Sequence, residues 1–170
     1  KFEFDDISFN EDTRILYEGH HINGMNLAPE AFPLFMTSAF NMGNLDDVEH
    51  TYDTKGYTYI RTRNPNRKAL ADVLTYLEQG KDTLIFSSGM GAITTTYFAL
   101  LQPGDHMICN ENIYGETFDA ITSLVKNYGV TTTFVPFDDL DAVKAAVQPN
   151  TKMLYTEVAS NPTDRLCDVA

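Results

Sequence analysis

Residues 106–135 have the sequence HMICNENIYGETFDAITSLVKNYGVTTTFV, in which two apolar runs flank a segment with helical spacing. The runs at 106–109 and 130–135 are short and apolar or β-branched, which is typical of buried strands. Between them, four apolar residues are spaced as on one face of a helix: Phe118, Ile121, Leu124 and Val125. Gly129 is predicted to end that helix. The order strand, helix, strand predicts two parallel strands joined by a crossover.

Upstream of this unit the chain shows the same alternation. Residues 66–79 carry apolar side chains on one helical face, and Gly80 is predicted to end that helix. Residues 83–86 form a short apolar run that predicts another buried strand. A further helix is expected at residues 89–101, and Pro103-Gly104 is predicted to close it.

Downstream of the unit, residues 139–147 predict an amphipathic helix and residues 152–158 a further strand. Helices and strands that alternate in this way are typical of an open sheet with helices on its faces. We therefore predict an α/β fold of three layers, α/β/α, with a mostly parallel sheet.

The first 50 or so residues have a different character. They show no sustained helical or strand period, and they contain Pro29, Pro33 and scattered phenylalanines. We interpret them as an extended arm. Apolar but irregular arms pack against something, which is either the body of the chain or a neighbouring subunit.

Composition excludes several classes of function. The formal net charge of −12, with only 12 Lys and Arg among 170 residues, argues against nucleic acid or an anionic membrane as partner. No apolar run is long enough for a membrane span, and the first residues do not resemble a signal peptide. Cys109 and Cys167 suit a reduced compartment, where each is expected to be a small buried side chain. These features predict a cytoplasmic protein.

Polar and glycine-containing segments follow three of the predicted strands. They lie at residues 88–91, 110–115 and 157–162. In open α/β sheets, ligands bind outside the carboxyl ends of the strands. We therefore expect the three segments to face one crevice.

Two segments have the composition of an anion site. At residues 88–91, Ser-Gly-Met-Gly would begin a helix, where free N–H groups and the helix dipole favour a phosphate. It is neither a Walker loop nor a dinucleotide fingerprint, and a plain strand-to-helix turn is the alternative. At residues 57–65, tyrosines accompany Arg61 and Arg63, and guanidinium groups bind phosphate well. A solvated loop with scattered charges is the alternative there.

Six segments, in order along the chain, resemble motifs of the Cys/Met-metabolism enzymes that depend on pyridoxal phosphate (PLP). This family includes cystathionine γ-synthase, cystathionine γ- and β-lyases, methionine γ-lyase and O-acetylhomoserine sulfhydrylase. The segments are PLFMTSAF at 33–40, GYTYIRTRNP at 56–65, SSGMGAI at 87–93, PGD at 103–105, YG at 114–115 and EVASNP at 157–162. Their common order and spacing make the resemblance specific.

The resemblance implies an aminotransferase-like fold, fold type I of the PLP-dependent transferases. Residues 1–55 would form an N-terminal arm that contacts the neighbouring subunit, and residues 56–170 the first part of the large PLP-binding domain. The family's cofactor-linking lysine, the aspartate that pairs with the pyridine nitrogen and the substrate-binding arginine would lie beyond this stretch.

The function that the resemblance implies is β/γ-elimination or γ-replacement on a sulfur amino acid or an activated homoserine. It also implies a homo-oligomer, a dimer of dimers, with an amino acid as substrate. A non-catalytic fragment that binds a phosphate compound or a partner chain is the alternative, since fold resemblance alone does not establish catalysis.

The resemblance also implies roles for single residues. The amides of Gly89 and Met90 would hold the cofactor phosphate, and Ser88 would support them from behind. Tyr114 would stack on the pyridine ring as the catalytic residue of this stretch. Glu157, on the strand that leads to the site, would support it without touching the cofactor.

Further roles fall on Tyr59 and Arg61, which would reach the phosphate of the neighbouring subunit's cofactor. Asn161 would contact the cofactor's 3-hydroxyl or the substrate carboxylate. The chain departs from the family pattern at Glu116, which matches neither the Cys of methionine γ-lyases nor the Gly common in cystathionine enzymes. Asn66 replaces the usual Thr after Asn-Pro and is expected to cap a helix equally well.

Overall fold

A computed structural model describes residues 10–18 and 31–169 of the chain. The chain divides into two compact units, Lys1–Ile85 and Phe86–Ala170. Within the described residues, every strand of the sheet belongs to the second unit. No helix of this described part is long and apolar enough to cross a membrane.

The described residues of the first unit contain three helices: α1 (Glu11–Glu18), α2 (Leu45–Asp53) and α3 (Pro65–Leu77). The last of these confirms the helix predicted at 66–79. Asn64 caps it, because its side-chain oxygen accepts hydrogen bonds from the N–H groups of Asn66 and Arg67 at 2.8 and 3.2 Å. Pro65 suits the first helical position, where no N–H donor is needed.

The second unit is built on a parallel sheet. Its elements are α4 (Gly89–Leu100), β1 (His106–Asn110), α5 (Gly115–Ala120), β2 (Thr131–Val135), α6 (Leu140–Ala146) and β3 (Thr151–Tyr155). A π-helical segment, Ile121–Val125, continues α5. The strand order is β2–β1–β3, and β1 is parallel to both neighbours. All residues of β1 are buried, as expected for a strand covered on both faces.

The apolar core of this unit is formed by α4, β1, the π-helical segment and the turns beside them. Its buried members are Tyr97, Leu101, Met107, Cys109, Ile113, Ile121, Val125 and Val130. At the amino end of β1, His106 is only 1% exposed, and its ring nitrogens lie 2.8 Å from Thr151 Oγ1 and 2.9 Å from Thr133 Oγ1. One imidazole thus joins all three strands, and burial lowers its pKa.

The strand predicted at residues 83–86 is wrong. Within the described residues this run forms no ladder, and Leu84 is 78% exposed. The predicted end of the preceding helix is also corrected. Gln79, with φ of 50°, is the left-handed residue there, whereas the N–H of Gly80 donates to the Thr75 carbonyl at 2.9 Å.

The N-terminal segment is more regular than the predicted extended arm, because it contains α1 and α2. In α2 the Asn44 side chain accepts a hydrogen bond from the N–H of Asp47 at 2.9 Å. No residue of α2 is buried, although Leu45, Val48 and Tyr52 are spaced as on one face of a helix. Pro29 lies outside the described residues. That residues 1–55 contact a neighbouring subunit stays a prediction.

Candidate functional site

The carboxyl ends of β1 and β3 lie side by side. Asn110, the last residue of β1, donates from Nδ2 to Oγ1 of Thr156, which follows β3, at 3.0 Å. The Asn110 side-chain oxygen accepts a hydrogen bond from the N–H of Asn112 at 3.2 Å. The segments that follow these two strands therefore begin at the same edge of the sheet, as the topology predicts.

Glu157 connects the two segments through the backbone of Tyr114. Its two carboxylate oxygens accept from the Tyr114 N–H at 3.1 and 3.0 Å. Tyr114 is the residue that precedes the first turn of α5, where a carboxylate also interacts favourably with the helix dipole. The Tyr114 side chain is 41% exposed. The contact thus fixes the backbone from which an accessible aromatic ring projects, and such a ring is suited to stacking on a planar ligand.

The first turn of α4 offers two free hydrogen-bond donors. Ser88 Oγ accepts from the N–H of Gly91 at 3.0 Å and so caps the helix. Within the described part of the chain, the N–H groups of Gly89 and Met90 have no acceptor. A Cβ added at Gly89 would meet nothing within 4 Å, so the backbone there is open to close approach. An anion is the guest that these donors and the helix dipole favour.

A buried contact joins the first turns of α4 and α5. Thr117, which is fully buried, donates from Oγ1 to Sδ of Met90 at 3.8 Å. Tyr114 stands directly before α5, so this contact keeps the free amides of α4 and the exposed ring of Tyr114 in one neighbourhood.

Two tyrosines and a cysteine of the second unit lie in or against its buried core. The rings of Tyr97 and Tyr155 meet edge to face with centroids 5.4 Å apart. Burial raises the pKa of both hydroxyls. Burial, with the nearby charge of Glu157, also raises the pKa of the Cys109 thiol to about 12. All three groups are therefore neutral at physiological pH, and Cys109 acts as the small buried side chain that was predicted.

Asn161 lies in a loop organised by its neighbour Ser160. The buried Ser160 Oγ accepts from the N–H of Arg165 at 3.0 Å, and its carbonyl accepts from the N–H of Asp164 at 2.9 Å. The Asn161 side chain is exposed, and within the described residues no hydrogen bond joins it to Tyr114. Its role toward a cofactor stays a prediction.

Tyr59 and Arg61 lie in the first unit. Residues 38–40 pair with residues 58–60 in a short antiparallel bridge, with the two N–H···O contacts at 3.0 Å. This bridge positions Tyr59, and the Arg61 guanidinium carbon lies 4.9 Å from the centre of its ring. A phenol hydroxyl and a guanidinium are thus presented together on an exposed surface.

Both side chains line a cleft of about 440 Å³ in the first unit. Lys55 and Arg63 line it too, and none of its lining residues is acidic among those the structure describes. Arg63 is part of the arginine-rich segment predicted to bind an anion, whereas Lys55 precedes it and had no predicted role.

Asn66 does not cap α3, contrary to the prediction, because Asn64 does. The Asn66 side chain instead accepts a hydrogen bond from the N–H of Phe35 at 2.9 Å and donates one to the Pro33 carbonyl at 2.8 Å. The residue that departs from the family pattern therefore fastens residues 33–35 to the start of the helix.

Comparison with known proteins identifies the family. Residues 12–170 match the family model described as Cys/Met metabolism PLP-dependent enzyme. The chain belongs to this family. It is 42% identical over 137 residues to the cystathionine beta-lyase of Bacillus subtilis, which covers 81% of this chain and 33% of that protein. It is 34% identical over 167 residues to the L-methionine gamma-lyase of Pseudomonas deceptionensis, which covers 96% of this chain and 41% of that protein.

A solved structure gives the same result. The cystathionine gamma-lyase of Lactobacillus plantarum, crystallised with L-serine, superimposes with a TM-score of 0.80 at 31% identity, over 94% of this chain and 39% of that one. The chain therefore spans between 33% and 41% of the length of these relatives. The predicted fold class, the family and its cofactor PLP are confirmed.

The described residues fit the phosphate and ring of this Cys/Met-metabolism cofactor. The two unpaired amides at Gly89 and Met90 would hold the phosphate, and the openness at Gly89 gives it room. The exposed Tyr114 ring, fixed through Glu157, would lie against the pyridine ring. These roles stay predictions, as do those of Ser88, Tyr59 and Arg61.

Several contacts at the site could not be found from the sequence. Asn110 and Thr156 are far apart in the chain, as are Met90 and Thr117, and no local pattern predicts that they pair. Lys55 could have been noticed, because it directly precedes the Gly56 that opens the Tyr-x-Arg motif of the family.

Proposed function

We propose that this chain supplies the phosphate-binding and ring-stacking part of a PLP-dependent enzyme that acts on a sulfur amino acid or an activated homoserine. The reaction would be a β/γ-elimination or a γ-replacement, that of a carbon–sulfur lyase or a transferase. The observation that carries the proposal is the pair of unpaired amides at Gly89 and Met90, held beside the clamped Tyr114. Membership of the Cys/Met-metabolism family supports it.

Each group in this arrangement has a definite task. PLP, when bound, supplies the electron sink that stabilises negative charge on the substrate carbon. Gly89 and Met90 bind the phosphate through N–H donors that need no reorganisation, because Ser88 already fixes the turn. The Tyr114 ring orients the cofactor plane, and its hydroxyl is available to hold or move a proton. Glu157 keeps that ring in place by bonding the backbone N–H.

A variant pair at Tyr114 tests the catalytic assignment. Tyr114→Phe keeps the aromatic face and loses the hydroxyl, so cofactor affinity should stay within about threefold while turnover falls roughly 10²-fold or more. Tyr114→Ala should lose both. Turnover of the holoenzyme is measured as α-keto acid released, for elimination, or as the substituted amino acid formed, for γ-replacement, and affinity by fluorescence titration with PLP. A Phe variant as active as the wild type would exclude the hydroxyl from catalysis.

We further propose a cytoplasmic homo-oligomer, a dimer of dimers, in which Tyr59 and Arg61 act on the neighbouring subunit's cofactor. The two residues follow the N-terminal segment in a unit separate from the one that carries Gly89. Mixing Arg61→Ala and Tyr114→Ala subunits, at a PLP concentration at which neither parent alone is active, tests this. If Arg61 acts across subunits, a hybrid dimer holds one intact site and one doubly defective site.

Partial return of activity in such hybrids is therefore the expected result. If Arg61 instead served its own subunit, every site in the hybrid would carry one lesion and no activity would return. Subunit exchange is verified by mass spectrometry with one isotope-labelled parent. Persistent inactivity in exchanged hybrids would refute the shared site without refuting the enzyme class.

A further inference from the structure

The side chain of Asn110 connects the two segments that follow β1 and β3. The backbone ladder between these strands ends with the pair Cys109 and Tyr155. One residue later a side-chain contact takes its place, because Asn110 Nδ2 donates to Thr156 Oγ1 at 3.0 Å. The connection between the two strands thus continues up to the residue before Glu157.

The oxygen of the same amide fixes the turn that leads to Tyr114. Asn110 Oδ1 accepts from the N–H of Asn112 at 3.2 Å, which is the hydrogen bond of an Asx turn. The amide therefore uses its NH2 group toward one segment and its oxygen toward the other. Asn110 is only 7% exposed, so the loss of either contact would leave a buried polar group without its partner.

These contacts bear on the position of the Tyr114 ring. The two carboxylate oxygens of Glu157 reach the Tyr114 N–H only if the segment after β3 lies close to the turn after β1. Asn110 sets that distance, since it holds Thr156 on one side and Asn112 on the other. The direction of the exposed ring thus depends on side chains that do not touch it.

We propose that Asn110 and Thr156 are positioning residues that orient the ring of Tyr114 toward PLP. They act through Glu157 and through the turn after β1, and neither is required to touch the cofactor. The inference rests on the proposed function, in which the Tyr114 ring stacks on PLP. A single neutral hydrogen bond contributes little to the stability of the whole fold, so its loss should weaken PLP binding in a protein that remains folded.

A matched pair of variants at Thr156 tests the inference in the full-length enzyme. Thr156→Val removes the hydroxyl and nearly keeps the shape of the side chain, so the dissociation constant of PLP should rise about three- to tenfold. Thr156→Ser keeps the hydroxyl and should bind PLP within about twofold of wild type. Fluorescence titration of the apoenzyme with PLP measures both. The induced circular dichroism of bound PLP, which depends on how its ring is held, should weaken in the valine variant and persist in the serine variant.

A double-mutant cycle with Tyr114→Ala separates positioning from a general structural effect. If Thr156 acts through the Tyr114 ring, Thr156→Val should weaken PLP binding when the ring is present and have no further effect when it is absent. An equal loss in both backgrounds, no loss in the wild-type background, or a serine variant as weak as the valine variant would overturn the inference.

A control at the other end of β3 accounts for stability. Thr151 Oγ1 lies 2.8 Å from Nδ1 of the buried His106, so Thr151→Val should lower the midpoint of urea unfolding and leave PLP affinity unchanged. A loss of affinity equal to that of Thr156→Val would show that affinity follows stability and would also overturn the inference. A Tyr114→Ala enzyme that binds PLP as tightly as wild type would instead refute the stacking role in the proposed function.

Discussion

Replacing Gly89 by proline removes one donor from the phosphate site and adds a ring beside it. Gly89 is the first residue of α4, a position that proline tolerates because its N–H takes no part in the helix. Ser88 before it is extended, with φ of −154° and ψ of 154°, which is the conformation favoured before proline. The fold should therefore accept Gly89→Pro.

The expected magnitude follows from the contact that is lost. A hydrogen bond to a charged group contributes about 1.5–3 kcal/mol, so the dissociation constant of PLP should rise roughly 10- to 100-fold. The proline ring also occupies space that an anion would enter, which acts in the same direction. Gly89→Ala is the matched control, because it keeps the N–H and its Cβ meets nothing within 4 Å.

Cofactor affinity is measured by fluorescence titration of the apoenzyme with PLP, for wild type and both variants. The alanine variant keeps the N–H but adds a Cβ in the space that the phosphate would enter, so it should bind PLP less tightly than wild type and more tightly than the proline variant. Thermal unfolding followed by circular dichroism checks that both variants remain folded. Equal PLP affinity in the proline and alanine variants would refute the assignment of the Gly89 amide to the phosphate.

Three further predictions concern other parts of the chain. Arg61→Ala should weaken retention of PLP by about 1.5–3 kcal/mol and more than Arg63→Ala does, as measured by equilibrium dialysis; equal retention in both would contradict it. Glu157→Ala should weaken PLP binding by about 1 kcal/mol by freeing the Tyr114 backbone, with Glu157→Gln in between, and unchanged binding in both would exclude the clamp. Burial lowers the pKa of His106 in the folded state, so the unfolded state binds a proton first as pH falls. The contribution of His106 to the free energy of unfolding should therefore be constant above about pH 7 and fall below about pH 6.5. Urea unfolding at several pH values measures it. His106→Gln should be less stable at pH 8 and should lose that part of the slope.

The buried strand β1 and the helix that follows it were predictable from the sequence. β1 is buried throughout, and its crossover shows helical spacing up to Gly129, whose φ of 97° ends the helical region as expected. Residues 83–86 have the same apolar composition but form no strand. A strand exists only when a neighbour pairs with it, and local sequence does not contain that information.

The helix α2 was not predicted, although Leu45, Val48 and Tyr52 have helical spacing. The helix has only nine residues and none of them is buried, so this signal is short. Its start was nonetheless marked by Asn44, which caps the helix, and by acidic residues in the first turn. In so short a helix, the capping residue indicates the start more clearly than the hydrophobic spacing does.

In the candidate site, too, local features were predictable from the sequence and contacts between distant residues were not. Gly89 and Met90 were predictable because free amides always occur at a helix start, and the resemblance singled out this one. The contact between Glu157 and Tyr114 was not, since it joins a side chain to a backbone N–H 43 residues away. Sequence supplied the residue type, and only the fold supplied the partner.

A crystal structure of the holoenzyme would show whether the start of α4 and the ring of Tyr114 hold PLP. Phosphate oxygens are expected within hydrogen-bonding distance, about 2.7–3.2 Å, of the N–H groups of Gly89 and Met90, with the pyridine ring lying against Tyr114. A cofactor bound with its phosphate elsewhere, or with Tyr114 turned away from its ring, would refute this assignment.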